Sequence, residues 1–108
     1  MKFKHAFDGL KDALKEKSVV TQLVLAILAI IGGLIIKLEH YEWLAFIICI
    51  VGVISLEILN SVIEKLCDLY SNEYNEKIKV IKDMTSAAVL VFAIGAFVVC
   101  VLCTIRRF

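Results

Sequence analysis

The chain has 108 residues, 61% of them hydrophobic, with no proline and a mean hydropathy of +0.91. Soluble domains run nearer roughly 45–50% apolar, so this composition excludes a water-exposed globule of such small size, and it equally excludes intrinsic disorder. The formal net charge of +1 offers no bulk attraction for nucleic acid, and the length leaves room for a single domain, 1–108.

At the N-terminus Phe3, Phe7, Leu10 and Leu14 recur at helical spacing, with Lys2, Lys4, Asp8, Lys11, Asp12 and Lys15 filling most of the opposite face. This predicts an amphipathic helix over about 2–17 lying in a membrane interface, although a helix packed on a partner protein would show the same pattern. Next comes an apolar run from Val19 to Ile36 in which only Thr21 and Gln22 are polar. It is long for the apolar core of a signal peptide and no A-x-A-like cleavage site follows, so it reads as a span over 18–36. A second apolar run, Tyr41 to Leu59, carries Glu42 at its start and Glu57 near its end, and predicts a span over 41–63. A polar segment over about 64–85 is broken at Ser71 and Asn72; beyond the break Tyr74, Ile78 and Ile81 recur at helical spacing, so the next helix starts before it enters lipid. Ser86 to Ile105 is free of charge and predicts a span over 84–105, with Ser86, Ala87, Ala88, Ala93, Gly95 and Ala96 small enough for close helix packing. A helix needs roughly 20 apolar residues to cross a bilayer core, which all three runs approach or reach. The fold class is therefore an all-α membrane protein with three transmembrane helices and an N-terminal surface helix.

Positive charge sets the expected orientation. Lysines 2, 4, 11, 15 and 17 precede the first span and lysines 65, 77, 79 and 82 lie in the 64–85 segment, whereas the other side holds Lys37, Arg106 and Arg107. The N-terminus and the 64–85 segment are thus expected in the cytoplasm, with Tyr41, Trp43 and Phe108 at the far interface. Cys49, Cys100 and Cys103 fall inside apolar runs. Cys100 and Cys103 form a CxxC, but no histidine or second cysteine pair accompanies them, so they and Cys67 read as ordinary thiols of a membrane protein.

The second helix does what apolar spans avoid. Glu57, Asn60, Glu64 and Asp68 are spaced to fall within roughly 80° of one another at ~100° per residue, on one stripe that begins inside the membrane and runs out of it. A carboxylate in a span costs on the order of 2.5–3.5 kcal/mol on insertion scales, which makes it a functional residue by default. Glu64 and Asp68 also read as solvated interfacial charges, and Asn60 as a polar contact between helices, but Glu57 lies too far inside the apolar run for either account. Acids at a membrane surface suit a divalent cation with oxygen ligands, and magnesium takes one or two protein carboxylates plus water and phosphate oxygens. Lys82 and Asp83 sit at the same depth; a lysine there can meet phosphate as a point charge or simply anchor a helix end. No P-loop or kinase glycine loop is present, so any nucleotide would be held by metal and side chains.

The run Glu57-Ile-Leu-Asn60-Ser-Val-Ile-Glu64-x-x-x-Asp68, then Asn72-Glu73-Tyr74, then Lys82-Asp83-Met-x-Ser86-Ala-Ala-Val, resembles the bacterial integral-membrane diacylglycerol kinases, a family that includes undecaprenol kinases. Gly9-Leu10-Lys11 is similar to the family's first-helix motif. The resemblance implies a homotrimer of the bacterial cytoplasmic membrane, with active sites shared between subunits on the cytoplasmic side, transferring the γ-phosphoryl of ATP with Mg2+ to a lipid alcohol. It implies Glu57 as the general base, Glu64 as a magnesium ligand, and Glu64, Glu73, Tyr74, Asn75, Lys82 and Asp83 around the nucleotide, with Asn60, Asp68 and Ser86 as further signature positions. This chain departs from the family at the usual first-helix metal-binding glutamate, which is Lys17 here with Glu16 one residue earlier. One residue is ~100° around a helix, so either Glu16 serves as the ligand through a local offset or the metal site is weaker. Thr21 stands where an arginine is common and Asn75 where histidine is common. Two other readings of the residues alone are a small ion- or proton-coupled transporter using Glu57 and a non-catalytic relative; acids continuing outward from Glu57 favour the kinase.

Overall fold

A computed structural model describes residues 2–71 and 73–106, Lys2 by its backbone alone. Asn72 of the motif, and Arg107 and Phe108 of the expected far interface, lie outside the described residues. Four helices follow one another: α1 Lys2–Ala13, α2 Lys17–Ile36, α3 His40–Tyr70 and α4 Glu76–Ile105. The last three are long and apolar enough to cross a membrane. α3 packs most extensively on α4 and less on α2, each antiparallel to its neighbour in sequence.

The N-terminal helix is shorter than its apolar spacing predicts. α1 ends at Ala13, and Lys15 and Glu16 donate tight i→i+3 hydrogen bonds to Asp12 and Ala13 at 3.2 and 3.0 Å. Glu16 then adopts extended backbone, φ −80° and ψ 130°, as the N-cap of α2. A helix with one apolar stripe and a helix apolar on all sides need different surroundings, and a single straight rod cannot serve both. α3 runs seven residues past the expected span to Tyr70, and α4 begins well ahead of its apolar run, as the Ile78 and Ile81 spacing predicts, although Tyr74 precedes the helix. Asn75 caps α4, its Oδ1 accepting from the backbone N–H groups of Lys77 and Ile78 at 2.9 and 3.4 Å.

Burial is mixed: Val19, Leu38, Phe46 and Cys67 are buried beside polar side chains, while most large apolar side chains stay exposed. Leu34, Ile35, Ile48, Val91 and Phe97 are exposed, no described residue of α4 is buried, and Glu42, Glu57, Asn60 and Ser61 are buried. Lipid is as apolar as leucine, so the chain gains little by hiding its aliphatic side chains and much by shielding its polar ones.

At the end of the bundle where α2 turns into α3, a capping box joins Glu39 and Glu42, and Arg106 reaches Glu39 at 3.3 Å, Glu42 at 3.7 Å and the Tyr41 ring at 5.2 Å. This cluster ties the C-terminus of α4 to the first turn of α3 and satisfies the carboxylate of Glu42, which is 2% exposed. Charge counting alone does not reveal it. Lys37 closes α2 in left-handed backbone, φ 58°, donating its N–H to the Gly33 carbonyl. Gly52 is a point of close packing between the long helices, since a Cβ there would overlap the Phe92 ring; of the small residues of α4, Ala93 and Ala96 face α2 and α3, whereas a Cβ at Gly95 would meet nothing within 4 Å.

Overpacking of this kind costs about 1–3 kcal/mol. Gly52→Ala is therefore expected to lower the thermal midpoint of the detergent-purified protein by several degrees, and Phe92→Leu in that background to recover part of the loss.

Candidate functional site

The site is built on α3. Glu57, Asn60, Ser61 and Glu64 follow one another over two turns, and the flanks of this stretch meet both neighbours. Ser61 Oγ lies 3.3 Å from Ser18 Oγ on α2, and Asp68 Oδ1 accepts from Lys82 Nζ on α4 at 2.8 Å. The stripe thus faces the seam where α2 and α4 both approach α3. Glu57, Asn60 and Ser61 are buried, while Glu64 and Asp68 are exposed, so polarity rises along the helix as the sequence pattern predicts.

Within the stripe, Asn60 Nδ2 donates to Glu64 Oε1 at 3.3 Å. This fixes the amide orientation, because the carboxylate can only accept and the flipped amide would set oxygen against oxygen. Asn60 Oδ1 is then a buried acceptor with no hydrogen-bond partner among the described residues. Such an acceptor costs on the order of 1–3 kcal/mol. It is suited to a hydroxyl, a water held on a cation, or the cation itself. No described side chain pairs with the Glu57 carboxylate, three residues before Asn60 on the same stripe.

The remaining motif residues are not all gathered here. Asp83 pairs with Lys79 at 2.8 Å on the exposed surface of α4. Glu73 and Tyr74 are exposed in the connection between α3 and α4, where the Glu73 N–H donates to Ser71 Oγ at 3.1 Å. Asn75 spends its carbonyl oxygen on capping α4, and Ser86 is exposed one turn beyond Lys82. Lys82 lies within electrostatic range of Glu64 as well as bonding to Asp68, so α4 brings one cation to the stripe. The Glu16 carboxylate is paired to Lys65, the residue that follows Glu64.

Among the described residues no three His, Cys, Asp or Glu side chains converge into a metal cage. What the stripe does offer is one carboxylate, Glu64, hydrogen-bonded to an amide whose own oxygen is unpartnered. That donor set fits magnesium, which fills its other positions with water and phosphate oxygens and rarely uses an all-protein cage.

Sequence reasoning missed Ser61 and Lys65. Ser61 stands four residues from Glu57 inside the motif, a spacing that places it on the same face, and Lys65 was legible only as a topology charge. Together with Gly9, Asp12, Ala13 and Glu16 they line a recess of about 250 Å³ between α1 and α3. A second cavity of about 210 Å³ lies among α2, α3 and α4 and is nearly all apolar, with Gln22 as its polar residue and Cys49 and Cys100 in its wall. All four cysteines are free.

Comparison with known proteins identifies the family. Residues 4–104 match the family described as prokaryotic diacylglycerol kinase. The chain is 33% identical over 93 residues to an undecaprenol kinase of Bacillus subtilis, covering 85% of this chain and 76% of that protein. It is 38% identical over 86 residues to a diacylglycerol kinase of Helicobacter pylori, covering 78% of this chain and 66% of that one. A match over nearly the whole chain, on a fold of three membrane-length helices with buried acids on the second, establishes that the chain belongs to the prokaryotic diacylglycerol kinase family and is a lipid kinase.

Proposed function

We propose that the chain transfers the γ-phosphoryl group of ATP to the hydroxyl of a membrane lipid alcohol, diacylglycerol or undecaprenol, giving phosphatidic acid or undecaprenyl phosphate. The observation that carries this reading is the buried Glu57 carboxylate, unpaired among the described residues and continuous with a polar stripe leading to water. A base at the water–lipid boundary meets a headgroup hydroxyl without lifting the lipid tail from the bilayer. Glu57 accepts the proton of that hydroxyl as its oxygen bonds to the γ-phosphorus. The bond between that phosphorus and the β–γ bridging oxygen breaks, and ADP leaves. Little covalent work falls to the protein, and positioning with charge neutralisation supplies the catalysis.

Glu64 and Asn60 Oδ1 are the residues that would hold Mg2+, which when bound neutralises phosphate charge and orients the nucleotide. Lys82, steadied by Asp68, contributes a point charge toward the phosphates from α4. Glu73, Tyr74, Asn75 and Asp83 are assigned to the nucleotide from the family resemblance, and they lie toward the same end of the bundle as Glu64, Asn75 with the amide nitrogen that capping leaves available. Ser86 continues the same face from Lys82. The exposed Phe3, Phe7, Leu10 and Leu14 support α1 as a helix lying in the membrane interface. The lysine asymmetry supports a cytoplasmic N-terminus in a bacterial inner membrane. A homotrimer is proposed from the family resemblance.

Two variants test the assignment. Glu57→Gln is expected to lower kcat by at least a hundredfold, the scale of lost general-base catalysis, while Mg2+ and ATP still raise the thermal midpoint. Turnover near wild type would remove Glu57 as the base. Asn60→Leu is expected to raise the Mg2+ concentration needed for half-maximal rate by about tenfold, and an unchanged Mg2+ requirement would take Asn60 out of the cation site.

A further inference from the structure

Glu16 has one carboxylate and two possible partners, the cation at Glu64 and the ammonium of Lys65. In the structure it belongs to Lys65. Lys65 follows Glu64 directly, and one residue turns ~100° around the helix, so Lys65 points along the flank of α3 that faces α2 while Glu64 faces the seam. Glu16 is the N-cap of α2 and the last residue of the turn between α1 and α2. Its side chain is 28% exposed against 68% for Lys65, so the carboxylate lies in the recess and the ammonium closes over it. One turn along α3, the Ser61–Ser18 contact at 3.3 Å makes a second tie between the same two helices. These two contacts set the register of the α1–α2 corner against the turn of α3 that carries Glu57 and Ser61.

We propose that Glu16 and Lys65 are a positioning pair, which holds α1 over the recess beside Ser61 and so places the lipid acceptor relative to Glu57, and that Glu16 is not a ligand to the cation. The assignment rests on the lipid kinase reading for its effect on substrate, but the pairing itself does not depend on turnover. A ligand role would have Glu16 share its carboxylate between Lys65 and the cation, setting an ammonium and a divalent ion on the same group, which weakens both contacts. An ion pair with one half-covered partner carries modest energy, so its loss should shift lipid use by a few fold and leave the cation site in place.

The experiment compares full-length wild type with Glu16→Gln, Lys65→Gln and the double charge swap E16K/K65E. Lipid KM and kcat are measured at saturating Mg2+ and ATP, and Mn2+ affinity is measured by electron paramagnetic resonance with ATP present. Thermal midpoints establish that each variant is folded. Both single variants are expected to raise lipid KM by about threefold to fivefold, with kcat and Mn2+ affinity within about twofold of wild type, and the swap to recover the lipid KM. A fall of about tenfold or more in Mn2+ affinity on Glu16→Gln, not restored by the swap, would make Glu16 a ligand and overturn the proposal. Unchanged lipid KM in both single variants would overturn it as well. Absence of lipid phosphorylation in wild type would instead overturn the kinase reading, and the Mn2+ measurement would still report on Glu16.

Discussion

A carboxylate inside a membrane helix has to be sheltered, and the rest of this bundle follows from sheltering Glu57. Its neighbours on the stripe are polar, and α2 and α4 both close on the face that carries them, through Ser18 on one side and Lys82 on the other. Most large aliphatic side chains turn outward because lipid receives them at little cost, and Glu42, Glu57, Asn60 and Ser61 share the interior with a few apolar residues such as Val19 and Phe46. The two ends of the bundle are used differently. At one end Arg106 draws together Glu39, Glu42 and Tyr41, so the buried acid there is paired and structural. Toward the other end Glu57 and Asn60 Oδ1 remain unpartnered among the described residues, and that difference is why the proposed site is placed there.

Much of this is legible in the sequence because hydropathy and helical spacing act locally. Three apolar runs predict three long helices, and Glu57, Asn60, Glu64 and Asp68 fall on one face by arithmetic. The corner at 14–16 is not legible, since no glycine or proline marks it; the helix stops because α1 and α2 need different surroundings. The extension of α3 to Tyr70 is legible, because the Glu64 and Asp68 spacing carries the helix past the apolar run and Ser71 and Asn72 mark its end. Gly52, like the corner, carries no mark in the sequence, as its role depends on Phe92 forty residues away.

Pairings across helices are the least legible layer. Lys65, Lys82 and Arg106 are equivalent in a charge count, yet one meets Glu16, one meets Asp68 and one holds the opposite end together. Lys17 illustrates the same limit. The family resemblance places a metal ligand there, the sequence offers Glu16 one residue away, and packing gives Glu16 to Lys65.

The central claim is that the polar stripe on α3 moves phosphate from ATP to a lipid hydroxyl. The most direct test is transfer of label from γ-labelled ATP, with Mg2+, by wild-type protein in detergent micelles containing either diacylglycerol or undecaprenol. The account predicts labelled lipid phosphate with at least one of them, dependent on both ATP and Mg2+, and the ratio of the two products identifies the acceptor. Labelled lipid from neither, in protein whose thermal midpoint still rises with ATP and Mg2+, would contradict it.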